Sequence, residues 1–183
     1  MGREIFSNKD LVRYFNMTPR QANHWTELGL ISCIIDARGT GSQRGYDIYG
    51  VFDAGVVKSL FDLGLNVYMV KSIMTEFTKT VEYLDITNQI KEPDIDDKKD
   101  PIGVLLYYFM RDGSTKMTIS LKSTHRALLA FHGSSFKEIS QVRGLIILDV
   151  GSILVRVYKE ILKDPRKRKV IEDKWQYNKN LGI

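Results

Sequence analysis

The stretch TPRQANHWTELGLI, Thr18 to Ile31, decides the fold of the first part of the chain. Thr18 is a favoured helix N-cap, and Pro19 is tolerated in the first turn because its missing N–H would have no helical partner. Gly29 supplies the left-handed residue that commonly ends a helix. An apolar residue recurs at every third position along one side: Ala22, Trp25 and Leu28. The stretch therefore predicts a short helix with its apolar side buried.

The residues around this stretch predict a second helix and a hairpin. A helix over about Lys9 to Phe15, capped by Ser7 or Asn8, precedes it and is joined to it by a tight turn. After it, Leu30 to Asp36 is rich in isoleucine and Gly45 to Tyr49 is flanked by glycine, so these segments predict the two strands of a β-hairpin wing.

Two further helices are predicted after the hairpin. The first carries apolar residues at helical spacing and ends at Gly64. The second is capped by Asn66 and continues to Phe77, with apolar residues that could prolong it to Leu84. Residues 1–84 are therefore predicted to form a winged helix-turn-helix domain.

The rest of the chain predicts a linker, a second lobe and a tail. Residues 85–101 include the acidic run KEPDIDDKKDP, which lacks the apolar residues needed to order itself. Residues 102–163 predict a small mixed α/β lobe, and residues 164–183 a loosely packed basic tail. The lobe contains three predicted strands and one helix: Val104 to Met110, Met117 to Leu121, Leu145 to Val150, and Ser152 to Lys163. The predicted fold class is α+β.

Composition excludes several classes of protein. The chain has 183 residues, 43% of them hydrophobic and 27% charged, as in globular domains. Its apolar runs are all shorter than the roughly 18 residues that span a bilayer. The beginning of the chain lacks the apolar segment of a secretory signal, and its single cysteine, Cys33, cannot form an internal disulfide. We expect a cytoplasmic protein outside the membrane.

The positive charge is unevenly distributed along the chain. Residues 1–75 contain 8 Lys/Arg and 7 Asp/Glu, a net +1. Residues 76–101 contain 4 and 8, a net −4, and residues 102–183 contain 15 and 7, a net +8. Charge alone therefore does not mark the first part as a nucleic-acid binder, and the placement of particular residues has to decide.

Four segments resemble regulators of the MerR type. Besides Thr18 to Ile31, the segment GTGSQRGY at residues 39–46 is similar to their wing, and VVKSLFDLGLNVYMVKSIM at 56–74 resembles their closing helix pair. RGLIILDVGSILVRVYKEILKDP at 143–165 is similar to the C-terminal strand and helix of a small subgroup. One departure concerns the Arg-Tyr-Tyr triplet of many MerR recognition helices, which is replaced here: Asn23, His24 and Trp25.

The resemblance and the residue chemistry together predict contacts to DNA. A recognition helix enters the major groove with the residues near its N-terminus closest to the base edges, where Arg pairs with guanine and Gln with adenine. The predicted recognition-helix contacts are Thr18, Arg20, Gln21 and His24. The predicted wing contacts, directed mainly to phosphate, are Arg38, Ser42, Gln43, Arg44 and Tyr46. The alternative for the helix residues is an ordinary solvated face, and an exposed His24 is as often inert as functional.

The sequence predicts a DNA-binding regulator without cofactor, metal or catalytic residues. Cys33 is expected to be a small buried hydrophobe. The residues His125 and His132 lack a nearby thiol or nucleophile motif, and the acidic residues of the 91–101 run lack the pattern of a calcium loop.

Relatives of the MerR type bind inverted repeats as homodimers and act on RNA polymerase, which implies a nucleoid-associated dimer, here joined through residues 102–163. The alternatives are an architectural or segregation protein that uses the same domain, an enzyme with its site in the second lobe, and a ligand sensor.

Overall fold

The structure is a computed structural model that describes residues 6–36, 43–80, 104–120 and 141–168, a mixed α+β protein with small sheets. Its helices are α1 Asn8–Phe15, α2 Pro19–Glu27, α3 Ile48–Asp62, α4 Val67–Phe77 and α5 Val150–Leu162. Its strands are β1 Phe6–Ser7, β2 Gly45–Tyr46, β3 Val104–Met110, β4 Thr115–Ser120 and β5 Val142–Asp149.

Helices α1 and α2 are short and closely joined, as predicted. Ser7 caps α1, and its backbone N–H donates to the Asp10 carboxylate at 2.8 Å. The turn between the helices is made by Asn16, whose φ of 52° lies in the left-handed region that asparagine tolerates better than most residues. Thr18 caps α2 and Pro19 occupies its first turn. The local capping signals therefore set both helix starts.

The prediction that the wing hairpin has two long paired strands is largely wrong. Ile35 forms a single antiparallel bridge with Gly45, and the rest of Leu30 to Asp36 is not a strand. Gly45–Tyr46 pairs instead with β1, and the segment ends there because Asp47 caps α3 by accepting from the backbone N–H of Gly50 at 3.0 Å. The isoleucine-rich segment begins with Leu30 and Ile31, which are buried against the helices. Residues 37–42 lie outside the described residues.

Helices α3 and α4 form the predicted pair. Gly64 has a φ of 82° in the turn after α3, and Asn66 caps α4 by accepting from the backbone N–H of Met69. Helix α4 ends at Phe77, and the predicted extension over residues 81–84 lies outside the described residues. So do the whole of the predicted linker, the two histidines His125 and His132, and residues 169–183.

The second part of the chain forms an antiparallel sheet in the order β4-β3-β5. The predicted hairpin is confirmed: Phe109 pairs with Thr115, and Gly113 with φ of 84° closes the turn. Strand β5 pairs with β3 on its other side, opposing Leu105 to Leu148. Helix α5 follows β5 directly. Helix α5 starts two residues before the predicted start. Asp149 explains the difference, because its carboxylate accepts from the backbone N–H of Ser152 and caps the helix.

One hydrophobic core includes residues from both predicted lobes. Buried residues of α1, α3 and α4 belong to the same cluster as buried residues of β3 and α5. Helices α3 and α5 approach each other at Gly55 of α3, where an added Cβ would lie 2.6 Å from Ile153 Cγ2 of α5. Only a glycine allows the two helices to pack at this distance. Within the described ranges, no helix is long and apolar enough to cross a membrane.

The first residues of the predicted tail also pack on this core. Residues 165–168 form a helical turn, and Lys167 Nζ lies 2.5 Å from the Asp10 carboxylate of α1 and 4.5 Å from the centre of the Phe6 ring. The side chain of Lys167 is only 15% exposed. Within the predicted tail, an ion pair and an aromatic ring therefore hold Lys167 in place.

Candidate nucleic-acid interface

Helix α2 presents a polar outer side above an apolar inner side, as its spacing predicts. Ala22 is completely buried and Trp25 is 5% exposed, stacked on Phe61 with ring centres 4.7 Å apart. Arg20 and His24 are exposed on the outer side. Arg20 forms no ion pair with any of the residues that the structure describes. Its guanidinium is therefore available to an anionic or hydrogen-bonding partner.

Gln21 has a structural role in capping α2, which was not predicted from the sequence. Its Oε1 accepts a hydrogen bond from the backbone N–H of Thr18 at 2.7 Å, and its own N–H donates to Thr18 Oγ1 at 3.1 Å. This reciprocal pair is a capping box, which satisfies two backbone donors at the helix start. The pattern Thr-x-x-Gln is a known signal for it. Thr18 and Gln21 therefore stabilise α2, and a base contact by Gln21 would have to use its remaining Nε2 donor.

Arg44 is turned toward the protein and bonded on three sides. Its Nε donates to Asp36 at 3.1 Å, Nη1 to the backbone carbonyl and side-chain oxygen of Asn23 at 3.1 and 3.2 Å, and Nη2 to Glu27 at 3.3 Å. The side chain is 12% exposed. Burial acts to lower the pKa of Arg44, but the bonds to the two carboxylates together raise it. The expected phosphate contact is thus replaced in this structure by bonds within the protein.

Tyr46 is completely buried, which corrects its assignment as a contact residue. Its hydroxyl donates to Asn8 Oδ1 at 2.5 Å and lies 3.1 Å from Thr26 Oγ1. The amide of Asn8 in turn donates to Asn23 Oδ1 at 2.6 Å. Burial raises the pKa of the Tyr46 hydroxyl. The tyrosine therefore ties β2 to α1 and α2 from inside the molecule.

Asn8, Asn23, Arg44 and Tyr46 form one hydrogen-bond network, called here the stem network. It joins the start of α1, the middle of α2 and the base of the predicted wing. Sequence reasoning missed Asn8 and Asn23. The pairing of Asp36 with Arg44 could have been predicted from the sequence. Oppositely charged residues that face each other across a hairpin are expected to form an ion pair. The network gives the wing base a defined position relative to α2.

The remaining predicted contacts are divided between described and undescribed residues. Gln43 is exposed at the edge of the loop, while Arg38 and Ser42 lie outside the described residues. Cys33 is half-buried against the core, and burial, followed by the charge of Asp36, raises the pKa of its thiol. A raised pKa disfavours the reactive thiolate. In the part of the chain that the structure describes, no cluster of three potential metal ligands is found.

No protein-family model and no curated protein matches this chain. Support for a function therefore comes from the geometry of α2 and its neighbours. Within that geometry, the structure brings Thr18, Arg20, Gln21 and His24 to one helix end and face. It does not bring the side chains of Arg44 and Tyr46 to the same surface.

Proposed function

We propose that the protein binds double-stranded DNA through α2 and acts as a transcription regulator of the MerR type, as a homodimer on an inverted-repeat operator. The observation that carries this proposal is the construction of α2. Arg20 and His24 are exposed on α2, whose start is capped, while Ala22 and Trp25 hold the opposite side in the core. A helix built in this way can enter a major groove without disturbing its own packing.

The chemistry of the helix start suits a base-reading role. Arg20 is one residue beyond Pro19, so its side chain extends from the first turn, which is the part of a recognition helix that comes nearest to base edges. A bidentate bond from arginine to guanine contributes about 1 to 3 kcal/mol of discrimination between bases. Arg20 is accordingly the first choice for direct readout.

The neighbouring elements support this arrangement. Helix α1 packs on α2 through the tight turn, and the stem network holds the base of the wing beside α2. In a winged helix-turn-helix protein, these are the elements that position the reading helix on the phosphate backbone. Among the described residues, the two sides of the hairpin are joined by backbone hydrogen bonds of Ile34 and Ile35 with Gly45 and by the Asp36–Arg44 ion pair.

A dimer follows from the small size of the reading element. A helix of nine residues contacts too few base pairs for useful specificity, and two copies at fixed spacing solve this problem. We place the interface in residues 102–163, where Ile147 of β5 is 37% exposed. The full chain is expected to sediment with the mass of two chains, and Ile147→Asp is expected to yield monomers. Leu63→Asp, at a site 56% exposed outside this region, is the matched control. Monomeric parent protein at high concentration would contradict the dimer.

The deciding experiment is selection of genomic DNA fragments by the purified full-length protein, followed by sequencing and footprinting. Enrichment of one short inverted repeat, lost in Arg20→Ala and kept in the control Lys79→Ala in the turn after α4, is the expected result. A footprint that spreads without a preferred site would indicate a protein that coats or bends DNA, and would contradict regulation at an operator. Absence of enrichment and of any duplex binding would overturn the proposal.

A further inference from the structure

The part of the chain that contains α2 has little positive charge for a protein segment that binds DNA. Proteins that bind duplex DNA with useful affinity neutralise several phosphates with Lys or Arg. Residues 1–75 carry a net charge of only +1, and the arginine expected to serve the wing, Arg44, is bonded to Asp36 and Glu27. Arg20 is the one arginine or lysine in α2. Additional phosphate contacts are therefore expected from another part of the molecule.

Helix α5 carries a row of cations on its outer side. Arg156, Lys159 and Lys163 are exposed and follow one another at spacings of three and four residues, which places them on one face. The opposite face is buried against α1 and α3 through apolar residues: Ile153, Val157 and Ile161. Glu160 is the one acidic residue of α5, and it pairs with Lys163. The outer face of α5 is therefore predominantly positive.

This row begins next to the turn that leads into α2. The guanidinium carbon of Arg156 lies 6.0 Å from the centre of the Phe15 ring. Phe15 is the last residue of α1 and stands three positions before Thr18, the N-cap of α2. Because α1 and α5 pack together in one core, the position of Arg156 relative to the reading helix is set by the fold and not by a linker.

Two further exposed arginines follow the end of α5. Lys167 is anchored by its ion pair with Asp10 and by the Phe6 ring. Its neighbours Arg166 and Arg168 are exposed on the same helical turn. The anchor therefore keeps the turn that carries these two arginines beside the start of α1.

We infer that the outer face of α5, carried by Arg156, Lys159 and Lys163 and continued by Arg166 and Arg168, contacts the phosphate backbone of the duplex that α2 enters. This inference rests on the proposed function and extends its surface. It also accounts for the location of the positive charge, since residues 141–168 contain 7 Lys/Arg and 3 Asp/Glu, a net +4. Phosphate contacts made there add affinity for every sequence alike, while α2 supplies the preference.

The test measures how DNA affinity depends on salt in the full-length protein. The double variant Arg156→Gln/Lys159→Gln removes two cations from exposed helix positions and keeps the side-chain stems. Each lost phosphate contact makes the slope of log affinity against log salt shallower by about 0.9, so a change of about two units is expected for random and selected duplexes alike. Lys116→Gln, at an exposed lysine of β4, is the matched control and should leave the slope nearly unchanged.

The outcomes separate this inference from the proposed function. If the parent protein binds DNA and the double variant has the same slope as the parent or the Lys116→Gln control, the α5 surface is overturned while DNA binding stands. If the parent binds no duplex, both are overturned. Circular dichroism identical to that of the parent shows that the double variant is folded, and the single Arg166→Gln variant repeats the test outside α5.

Discussion

Arg44 shows how a residue suited to one role can be placed in another. A guanidinium near a glycine-rich loop is a good phosphate ligand, but here its donors are used by Asn23, Asp36 and Glu27. The two carboxylates are 65% and 60% exposed, so their ion pairs are weak. The bonds to the Asn23 carbonyl and side chain, made by a group that is 12% exposed, are the larger contribution.

The first prediction is that Arg44→Ala lowers the free energy of unfolding by about 1 to 3 kcal/mol, because Asn23 loses a charged donor. The salt slope of DNA binding should remain that of the parent. Arg44→Lys, which keeps the charge but has fewer donors in a different geometry, should recover only part of the loss. Chemical denaturation and salt titration measure the two effects. If stability were unchanged and the salt slope were shallower by about one unit, Arg44 would instead be assigned to a contact with a DNA phosphate.

Gln21 combines two possible roles, which two substitutions separate. Gln21→Glu keeps an oxygen that can accept from the Thr18 N–H but removes the amide donor needed to read adenine. We predict that this variant keeps the stability of α2 and changes the selected base at one position of the site. Gln21→Ala should lose the cap as well, at a cost of about 1 kcal/mol. Identical selected sites for Gln21→Glu and the parent would assign the residue to capping alone.

At the scale of elements, the contact between α3 and α5 depends on a missing side chain. Gly55 lies where a Cβ would be 2.6 Å from Ile153 Cγ2 and 2.7 Å from Phe15 Cε1. In a helix without such neighbours, Gly→Ala stabilises by roughly 0.8 to 1 kcal/mol through propensity. The rigid Phe15 ring cannot move away cheaply, so overpacking decides the sign here.

The third prediction is that Gly55→Ala destabilises the protein by about 1 to 3 kcal/mol despite its better helix propensity. Combination with Ile153→Ala, which removes one of the two clashing groups, should be less destabilising than the sum of the single variants. A double-mutant cycle from chemical denaturation of the full chain measures this coupling. Stabilisation by Gly55→Ala would mean that α5 does not pack on α3 as described.

At the scale of the whole molecule, the Asp10–Lys167 pair joins residues that are far apart in the chain. Asp10 also accepts from the backbone N–H and hydroxyl of Ser7, so it is part of the cap of α1. Burial, the largest single influence, acts to raise the pKa of Asp10, but the hydrogen bonds and charge of Lys167 and the bonds from Ser7 together lower it below 3.8. The start of α1 is thereby coupled to the segment after α5.

The sign of the pH dependence follows from that lowered pKa. A carboxylate with a depressed folded-state pKa contributes stability that is complete above its unfolded pKa and is lost as pH falls through the folded one. We predict that Lys167→Gln raises the pKa of Asp10 and lowers stability near neutral pH, and that the difference from the parent disappears well below pH 3.8. Carbon-13 NMR of the Asp10 carboxyl and unfolding across pH measure it. Equal Asp10 pKa values in both proteins would refute the coupling.

The sequence by itself determined the features that depend on residues a few positions apart. The caps at Ser7, Thr18 and Asn66 and the turn at Gly113 are local, because the side chain and the backbone groups that it satisfies are neighbours in the chain. The inward side of α2 followed from spacing alone. For the same reason, the exposure of Arg20 and His24 was predictable from the sequence.

Only the tertiary structure decided the features that join distant segments. The pairing of β2 with β1, the burial of Tyr46, the bonds of Arg44 to Asn23 and Glu27 and the common core of α3 and α5 all link residues separated by many positions. A hydrophobic pattern states that one side of an element is buried, but it does not name the surface that covers it. That choice is made by the packing of all the elements together, through the burial of apolar area and the satisfaction of buried polar groups.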